Sequence, residues 1–474
     1  MADNDRIDEG QHEEGLLEKT VSRRQFLKVA GVAGAAIGLS GGLGGLLAAC
    51  GDGETTATTG TGGAGTDVSA GAEEGDRIKV GFVAPLTGPL ASFGVPDKYC
   101  VDRWNEAVAD GVVCGDNKNH KFDIKISDSQ SDSNRAAQVA GDLINNDGVD
   151  MIVVASTPDT VAPVADQCEA LETPCFSDDC PWQPYVGTRS SGDLSATFKW
   201  TYHFFWGLED MVINYQDIWS QMDTNKVVGA LWPNDADGNA YRKEFTPALE
   251  ASGYKLIDPG AYQNFSEDFT EQINAFKAAG CEIITGVPQP PDATNFVKQA
   301  AQQGLTPKIC TLAKALLFPQ SVEALGDIGD NLTTEIWWSP RHPFKSSLDG
   351  STCQQLADDY EAKTKGQWTQ PLLHYAVFEI AVAAAKLATD PKDKTSIIET
   401  VPKLKVETIA GLVDFTAPVK EGTMRPHQNV YKSPQVAGQW QKQAAGAKYP
   451  FELMITTNKL APEIKVDGTT RPLK

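Results

Sequence analysis

The sequence predicts an α/β protein of two lobes, each built on a parallel sheet with helices over both faces. Three observations carry this. Short apolar, β-branched runs alternate with helical stretches of about 12–15 residues, the rhythm of βαβ crossovers. Runs such as Met151-Ile152-Val153-Val154 are apolar without alternation, as strands buried on both faces are. The pattern then restarts at Leu208, with no close sequence repeat of the kind that marks a solenoid. Length agrees, because 474 residues exceed one ordinary domain.

In chain order, residues 78–84 form a first strand, broken by Pro85-Leu86-Thr87-Gly88-Pro89. Helix 95–109, strand 122–127, helix 133–145, strand 150–155, helix 158–171 and strand 174–176 follow. The second series has helix 208–222, strand 226–232, helix 238–252, strand 254–257, helix 269–279, strand 281–287, helix 290–303 and strand 307–311. Residues 332–339 read as a strand crossing back, and helices 351–365 and 372–389 as a return to the first lobe. The Gly- and Pro-rich tail from Ile409 is expected to finish the second lobe. The boundaries are therefore 77–203 plus 340–410 for one lobe and 204–339 plus 411–474 for the other. More than one crossing makes a hinge.

What precedes the lobes concerns address. Ser22-Arg23-Arg24-Gln25-Phe26-Leu27-Lys28 resembles the twin-arginine export motif. The apolar stretch 29–49 is long enough to cross a bilayer, but seven glycines weaken its helix and its hydrophobicity. It ends in Leu47-Ala48-Ala49-Cys50, which resembles the lipobox of bacterial lipoproteins. That resemblance implies cleavage after residue 49 and a diacylglycerol on the Cys50 thiol; an uncleaved signal anchor is the alternative. Two acyl chains suffice for stable anchoring, at roughly 0.8 kcal/mol per buried CH₂. Residues 51–75, rich in Gly, Thr and Ala, cannot offset their ordering entropy by burial and read as a tether. The 50–76 segment thus joins a lipid to a domain, on the outer face of the cytoplasmic membrane.

Composition excludes some functions. A net charge of −22 repels phosphates and argues against nucleic acid. An apolar fraction of 41% is too low for a multi-span membrane protein. Export makes disulfides permissible for the eight cysteines after Cys50. Cys100 with Cys114, Cys168 with Cys175, and Cys281 with Cys310 are close enough in chain or layer to pair, leaving Cys180 and Cys353.

The order of segments carries a resemblance. Ile78-Lys79-Val80-Gly81-Phe82-Val83-Ala84-Pro85-Leu86-Thr87-Gly88, with Ala91-Ser92-Phe93-Gly94, resembles the opening of leucine/isoleucine/valine-binding periplasmic proteins. Asp128-Ser129-Gln130-Ser131-Asp132-Ser133, Asp147-Gly148-Val149-Asp150-Met151-Ile152-Val153 and His374-Tyr375-Ala376-Val377 are similar to later segments of that family. The resemblance runs from Ile78 to the C-terminus. It implies the type I periplasmic-binding-protein fold, two Rossmann-like lobes with parallel sheets joined by a multi-strand hinge. It also implies a monomer that closes on a solute and delivers it to the permease and ATPase of an ABC importer.

Ligands of open α/β sheets sit beyond the carboxyl ends of the strands. That rule nominates loops 86–94, 156–157, 177–182, 234–238 and 288–292. Ser156 and Thr157 precede a helix opening at Pro158, where hydroxyls and N–H groups suit an anion; a plain N-cap is the alternative. The resemblance implies that Ser156 holds an amino-acid carboxylate and that Phe93 lines the side-chain pocket. Ser177, Asp179, Cys180, Asp235, Asp237 and Asp292 are further candidates, the acids for an ammonium or sugar hydroxyls. Trp182 and Trp206 suit stacking on a ring or a cation, against core packing. Two departures put amino-acid specificity in doubt. Cys180-Pro181-Trp182 replaces the family's Ala-Thr pair, and Asp237 replaces a tyrosine before Gly238.

Catalytic chemistry is not indicated. No Gly-x-Ser-x-Gly elbow, phosphate loop or dinucleotide motif follows a strand. His203, His342, His374 and His427 lack zinc-ligand spacing, and the Asp235-Asp237 loop lacks the calcium loop's glutamate. No enzyme, cofactor or metal is therefore expected. The readings left are an importer receptor, or a sensor for an aromatic, amide or sugar-like solute without transport.

Overall fold

A computed structural model describes residues 71–473. The export motif, Cys50 and the tether up to residue 70 lie outside the described residues. The tether's end is ordered: Gly75 N–H donates to Asn119 O at 2.9 Å, and Asn119 N–H donates to Glu73 O at 2.8 Å. The folded domain thus begins a few residues before the expected boundary at 77.

The first lobe follows the expected alternation. It comprises β1 (Ile78–Ala84), α1 (Asp97–Ala107), the hairpin β2 (Val112–Val113) and β3 (Asn119–His120), β4 (Phe122–Asp128), α2 (Ser133–Asn145), β5 (Met151–Val154), α3 (Pro158–Ala170), β6 (Cys175–Ser177), α4 (Trp182–Arg189) and β7 (Thr201–Phe204). Helix α2 shows why the sequence folds locally. Asp132 caps it by accepting from Arg135 N–H at 2.8 Å. Ala136, Val139, Ala140, Leu143 and Ile144 then form one buried stripe at helical spacing.

The second lobe holds α5 (Leu208–Ser220), β8 (Val227–Leu231), α6 (Ala236–Ala251), β9 (Lys255–Ile257), α7 (Thr270–Ala279), β10 (Ile283–Gly286), α8 (Pro290–Gln302), β11 (Ile309–Leu312) and β12 (Thr333–Ile336). The chain then returns through α9 (Cys353–Thr364), α10 (Tyr375–Leu387), the hairpin β13 (Lys405–Thr408) and β14 (Gly411–Asp414), and β15 (Val430–Tyr431). It ends with β16 (Val436–Lys442) and β17 (Phe451–Thr457).

The sheets run β15-β7-β6-β5-β1-β4 and β17-β16-β12-β11-β10-β8-β9. The first is parallel throughout, with Val80 opposite Met151 and Cys175 opposite Thr201. The second gains an antiparallel edge from β16 and β17. Because β15 pairs with β7, the tail does not belong wholly to the second lobe as expected. The chain passes between sheets after β7, after β12 and after β15, so three segments form the hinge.

The expected disulfides are absent. Cys100, Cys114, Cys168, Cys175, Cys180, Cys281, Cys310 and Cys353 are all free and buried. Register explains one pair: β10 and β11 set Cys310 opposite Ile284. That places Cys281 three residues away, about 10 Å along the strand and too far to bridge. Cys114 instead donates its S–H to Val112 O at 3.6 Å. Cys168 and Cys175 lie within hydrogen-bonding reach as separate thiols.

Candidate ligand-binding cleft

Loops beyond the carboxyl ends of both sheets meet around a cavity of about 20 Å³, counted as space open to a water's centre. That is room for a single water. Phe93, Thr157, Asp179, Pro181, Phe205 and Trp206 line it from the first lobe; Asp237, Tyr241, Val287, Lys314, Leu317, Glu335 and Trp337 line it from the second. The cleft is closed. Helices α4 and α6 pack together across it, and Phe93 meets Phe318 edge-on at 5.0 Å between ring centres.

On the first-lobe side an ion triad is buried. His374 Nδ1 lies 2.6 Å from Asp97 Oδ1, and its Nε2 lies 2.7 Å from Asp179 Oδ2. Burial opposes charge on the imidazole, but Asp97 and Asp179 outweigh it and hold His374 well above its ordinary value. Burial raises Asp179 to about 7 against the pull of His374. The Asp179 Oδ1 atom has no partner and the residue has φ 73°, a strained setting for a non-glycine residue. Neighbouring Asp178 is fully buried with neither oxygen bonded, and burial pushes it far up. Such a group rests as the neutral acid.

On the second-lobe side the cation is Lys314. Its Nζ lies 2.7 Å from Asp237 Oδ2 and 3.6 Å from Asp235 Oδ2. Burial works against that ammonium, yet Asp235, Asp237 and, from α3 across the cleft, Asp159 hold its pKa above the ordinary lysine value. Burial raises Asp237 to about 6 against Lys314, while Asp235 is lowered: there Lys314 and the Gly238 N–H overcome burial. Asp235 caps α6 by accepting from Gly238 N–H at 2.7 Å. Gly238 is required at this turn, since a Cβ there would stand 2.0 Å from Pro233 O. Glu335 accepts from Lys314 N–H and Tyr215 O–H, each at 2.9 Å.

Five predicted residues line the cavity: Phe93, Thr157, Asp179, Trp206 and Asp237. Ser156 is buried beside Thr157 with φ 147°; neither hydroxyl makes the expected cap bond, and both Oγ atoms lack partners. Asp235 stands behind the cavity as a support for Lys314. Four others turn away. Ser177 Oγ donates to His203 Nδ1 at 2.9 Å, and Cys180 O accepts from His203 Nε2 at 2.7 Å; burial lowers this imidazole to about 3, so it stays neutral. Trp182 stacks on His427 and donates to Glu209 at 3.3 Å. Asp292 accepts from Phe265 N–H at 3.1 Å and does not line the cavity. Asp179, Asp237 and Asp292 are all buried.

Lys314, Glu335, Trp337, Phe205 and Tyr241 on the wall, and His374 behind it, are not among the candidates the sequence nominates. Lys314 and Trp337 follow strands β11 and β12, so the strand-end rule finds them once carried past Thr311 and Ile336. Nothing local marks His374, which lies 277 residues from Asp97. A larger cavity of about 330 Å³ lies elsewhere, within the second lobe beside Phe296, Val297, Ile328 and Leu473. It is mostly apolar and does not face the first lobe.

This geometry is that of a two-lobed protein with a ligand cleft at the hinge. The periplasmic binding protein family matches residues 77–431, and the twin-arginine translocation signal matches residues 20–40. The chain belongs to the periplasmic binding protein family, a family of binding proteins rather than enzymes, and carries an export signal. A Leu/Ile/Val-binding protein homolog of Brucella melitensis is 24% identical over 219 residues, 44% of this chain. The match spans about half of that relative, 53% of its length. A leucine-binding protein from Thermotoga maritima superposes with a TM-score of 0.64 at 14% identity, over 81% of this chain and 99% of that one. A solute-binding protein from R. palustris, solved with 4-hydroxybenzoate, gives 0.64 at 16% identity, over 84% and 98%. These likenesses establish the shared type I fold.

Proposed function

We propose that the protein is the extracytoplasmic receptor of an ABC importer. It captures a small polar solute, an amino acid or related compound, between its lobes and hands it to the permease and its ATPase. One observation supports this above the rest: unpartnered buried polar atoms from both lobes converge on one cavity. They are Thr157 Oγ1, Asp179 Oδ1 and Trp206 Nε1 from one side, Asp237 Oδ1 and Trp337 Nε1 from the other. Each orphaned group costs about 1–3 kcal/mol, so a solute that satisfies both sides favours the closed state. The three hinge segments permit opening.

The lipid on Cys50 keeps the receptor, a monomer, beside its permease. Branched-chain specificity does not follow from the fold. The two structural relatives take leucine in one name and 4-hydroxybenzoate in the other, and Asp237 changes the chemistry of the second-lobe wall.

The test combines tryptophan fluorescence with small-angle scattering against amino acids, amines, amides, polyols and aromatic acids. One-site binding with a fall in radius of gyration is expected. Binding without compaction, or binding unaffected by replacing both Asp179 and Asp237 with Asn, would contradict the reading.

A further inference from the structure

Four side chains lining the cavity are formally charged: Asp179, Asp237, Glu335 and the single cation Lys314. That cation is already engaged by Asp237 and Asp235, and His374, behind Asp179, is shared by Asp179 and Asp97. Behind the wall, Asp97 takes the other side of His374 and Asp159 faces Lys314 from α3, so neither cation is left over for a solute. A cluster of acids is not in itself a site. Here, however, Asp179 Oδ1 and Asp237 Oδ1 reach one cavity from opposite lobes with no donor on either, on residues 5% and 3% exposed. The rest of the wall is largely aromatic. Phe205 lies between Trp206 and Trp337, at 4.6 and 5.0 Å between ring centres, and both indole N–H groups lack an acceptor.

We infer that the cleft selects a net cation: a protonated or quaternary amine held between Asp179 and Asp237 against the aromatic wall, with a neutral hydroxyl or carbonyl for the indoles and no carboxylate. The inference rests on the receptor reading above and narrows its ligand class. Carboxylates combined with aromatic faces are the chemistry that recognises an ammonium. A solute carboxylate would instead add an anion to a cleft whose cations are taken, at a cost that a low dielectric enlarges. Burial holds Asp179 and Asp237 at about 7 and 6; a bound cation lowers both and recovers the ionised, attractive form.

The test is calorimetry on the full exported chain with solutes that differ by one carboxylate: ethanolamine against glycine, choline against glycine betaine, leucinol against leucine, with 4-hydroxybenzoate added. At least one amino alcohol is expected to bind about tenfold or more tightly than its carboxylate partner. Asp237→Asn and Asp179→Asn are each expected to weaken it by about tenfold, with folding checked by melting. If neither variant folds, the paired solutes on the parent protein still decide. Carboxylate partners binding as tightly in every pair, or no cation binding at all, would overturn the inference. Binding of 4-hydroxybenzoate alone would overturn it and leave the receptor reading intact. Absence of binding and closure across amino acids, amines, amides, polyols and aromatic acids alike is instead the failure of the receptor reading.

Discussion

Replacing Lys314 by Met removes the cation from the cavity wall and leaves Asp237 and Asp235 buried without it. All three side chains are about 4–6% exposed, so solvent does little to screen the loss. Breaking one partner of such a pair costs about 3–5 kcal/mol. The loss depends on pH, and its sign follows from Asp237. Burial already raises that carboxyl from 3.8 to about 6 with Lys314 beside it. A raised acid costs the fold stability as pH climbs from the unfolded value through the folded one. Without Lys314 the folded value climbs further, and each added unit costs about 1.4 kcal/mol above it. At pH 5 Asp237 is protonated in the variant, leaving mainly the loss at Asp235, on the order of 1 kcal/mol. At pH 8 the full 3–5 kcal/mol applies. Urea unfolding followed by tryptophan fluorescence at both pH values measures the difference. A loss below about 1 kcal/mol at pH 8, or an equal loss at both, would show that Lys314 does not hold these carboxylates.

Other expectations follow from the same geometry. His374→Gln leaves Asp97 and Asp179 without their cation, so stability at pH 7 should fall by about 3–5 kcal/mol and recover toward pH 4. An unchanged melting curve at neutral pH would count against the triad. Ser156→Gly relieves a φ of 147° that serine rarely adopts. A gain in stability of up to about 1 kcal/mol is expected in thermal melts, and a comparable loss would show the backbone is not strained. Cys50→Ser should move the exported protein from the membrane pellet to the soluble fraction, and retention in the pellet would rule out the lipid anchor.

The strands and longer helices were readable because burial imposes a pattern on them. The apolar stripe of α2 recurs at helical spacing, and β5 shows four apolar residues in a row. Helix α4 was missed because Pro184 and Gly187 lower its propensity; packing against α3 and α6 holds it instead. Strand β15 has two residues, too few to show a period, and only its pairing with β7 defines it. The cleft was legible as positions and not as directions. The strand-end rule placed Asp179 and Asp237 on the wall, but it also placed Ser177 and Cys180 there, which turn to His203. The charge pairs were hidden for a different reason. They join residues far apart in the chain, such as His374 to Asp179 and Lys314 to Asp237, and no local pattern encodes such partners.

A crystal structure with the tightest-binding amino alcohol shows which groups of the cleft hold the cation. The ligand is expected in the inter-lobe cavity, its nitrogen within hydrogen-bond or close ionic reach of both Asp179 and Asp237 and its oxygen on an indole N–H. A ligand seated in the apolar second-lobe cavity beside Phe296 and Leu473, or one whose nitrogen touches neither carboxylate, would contradict it.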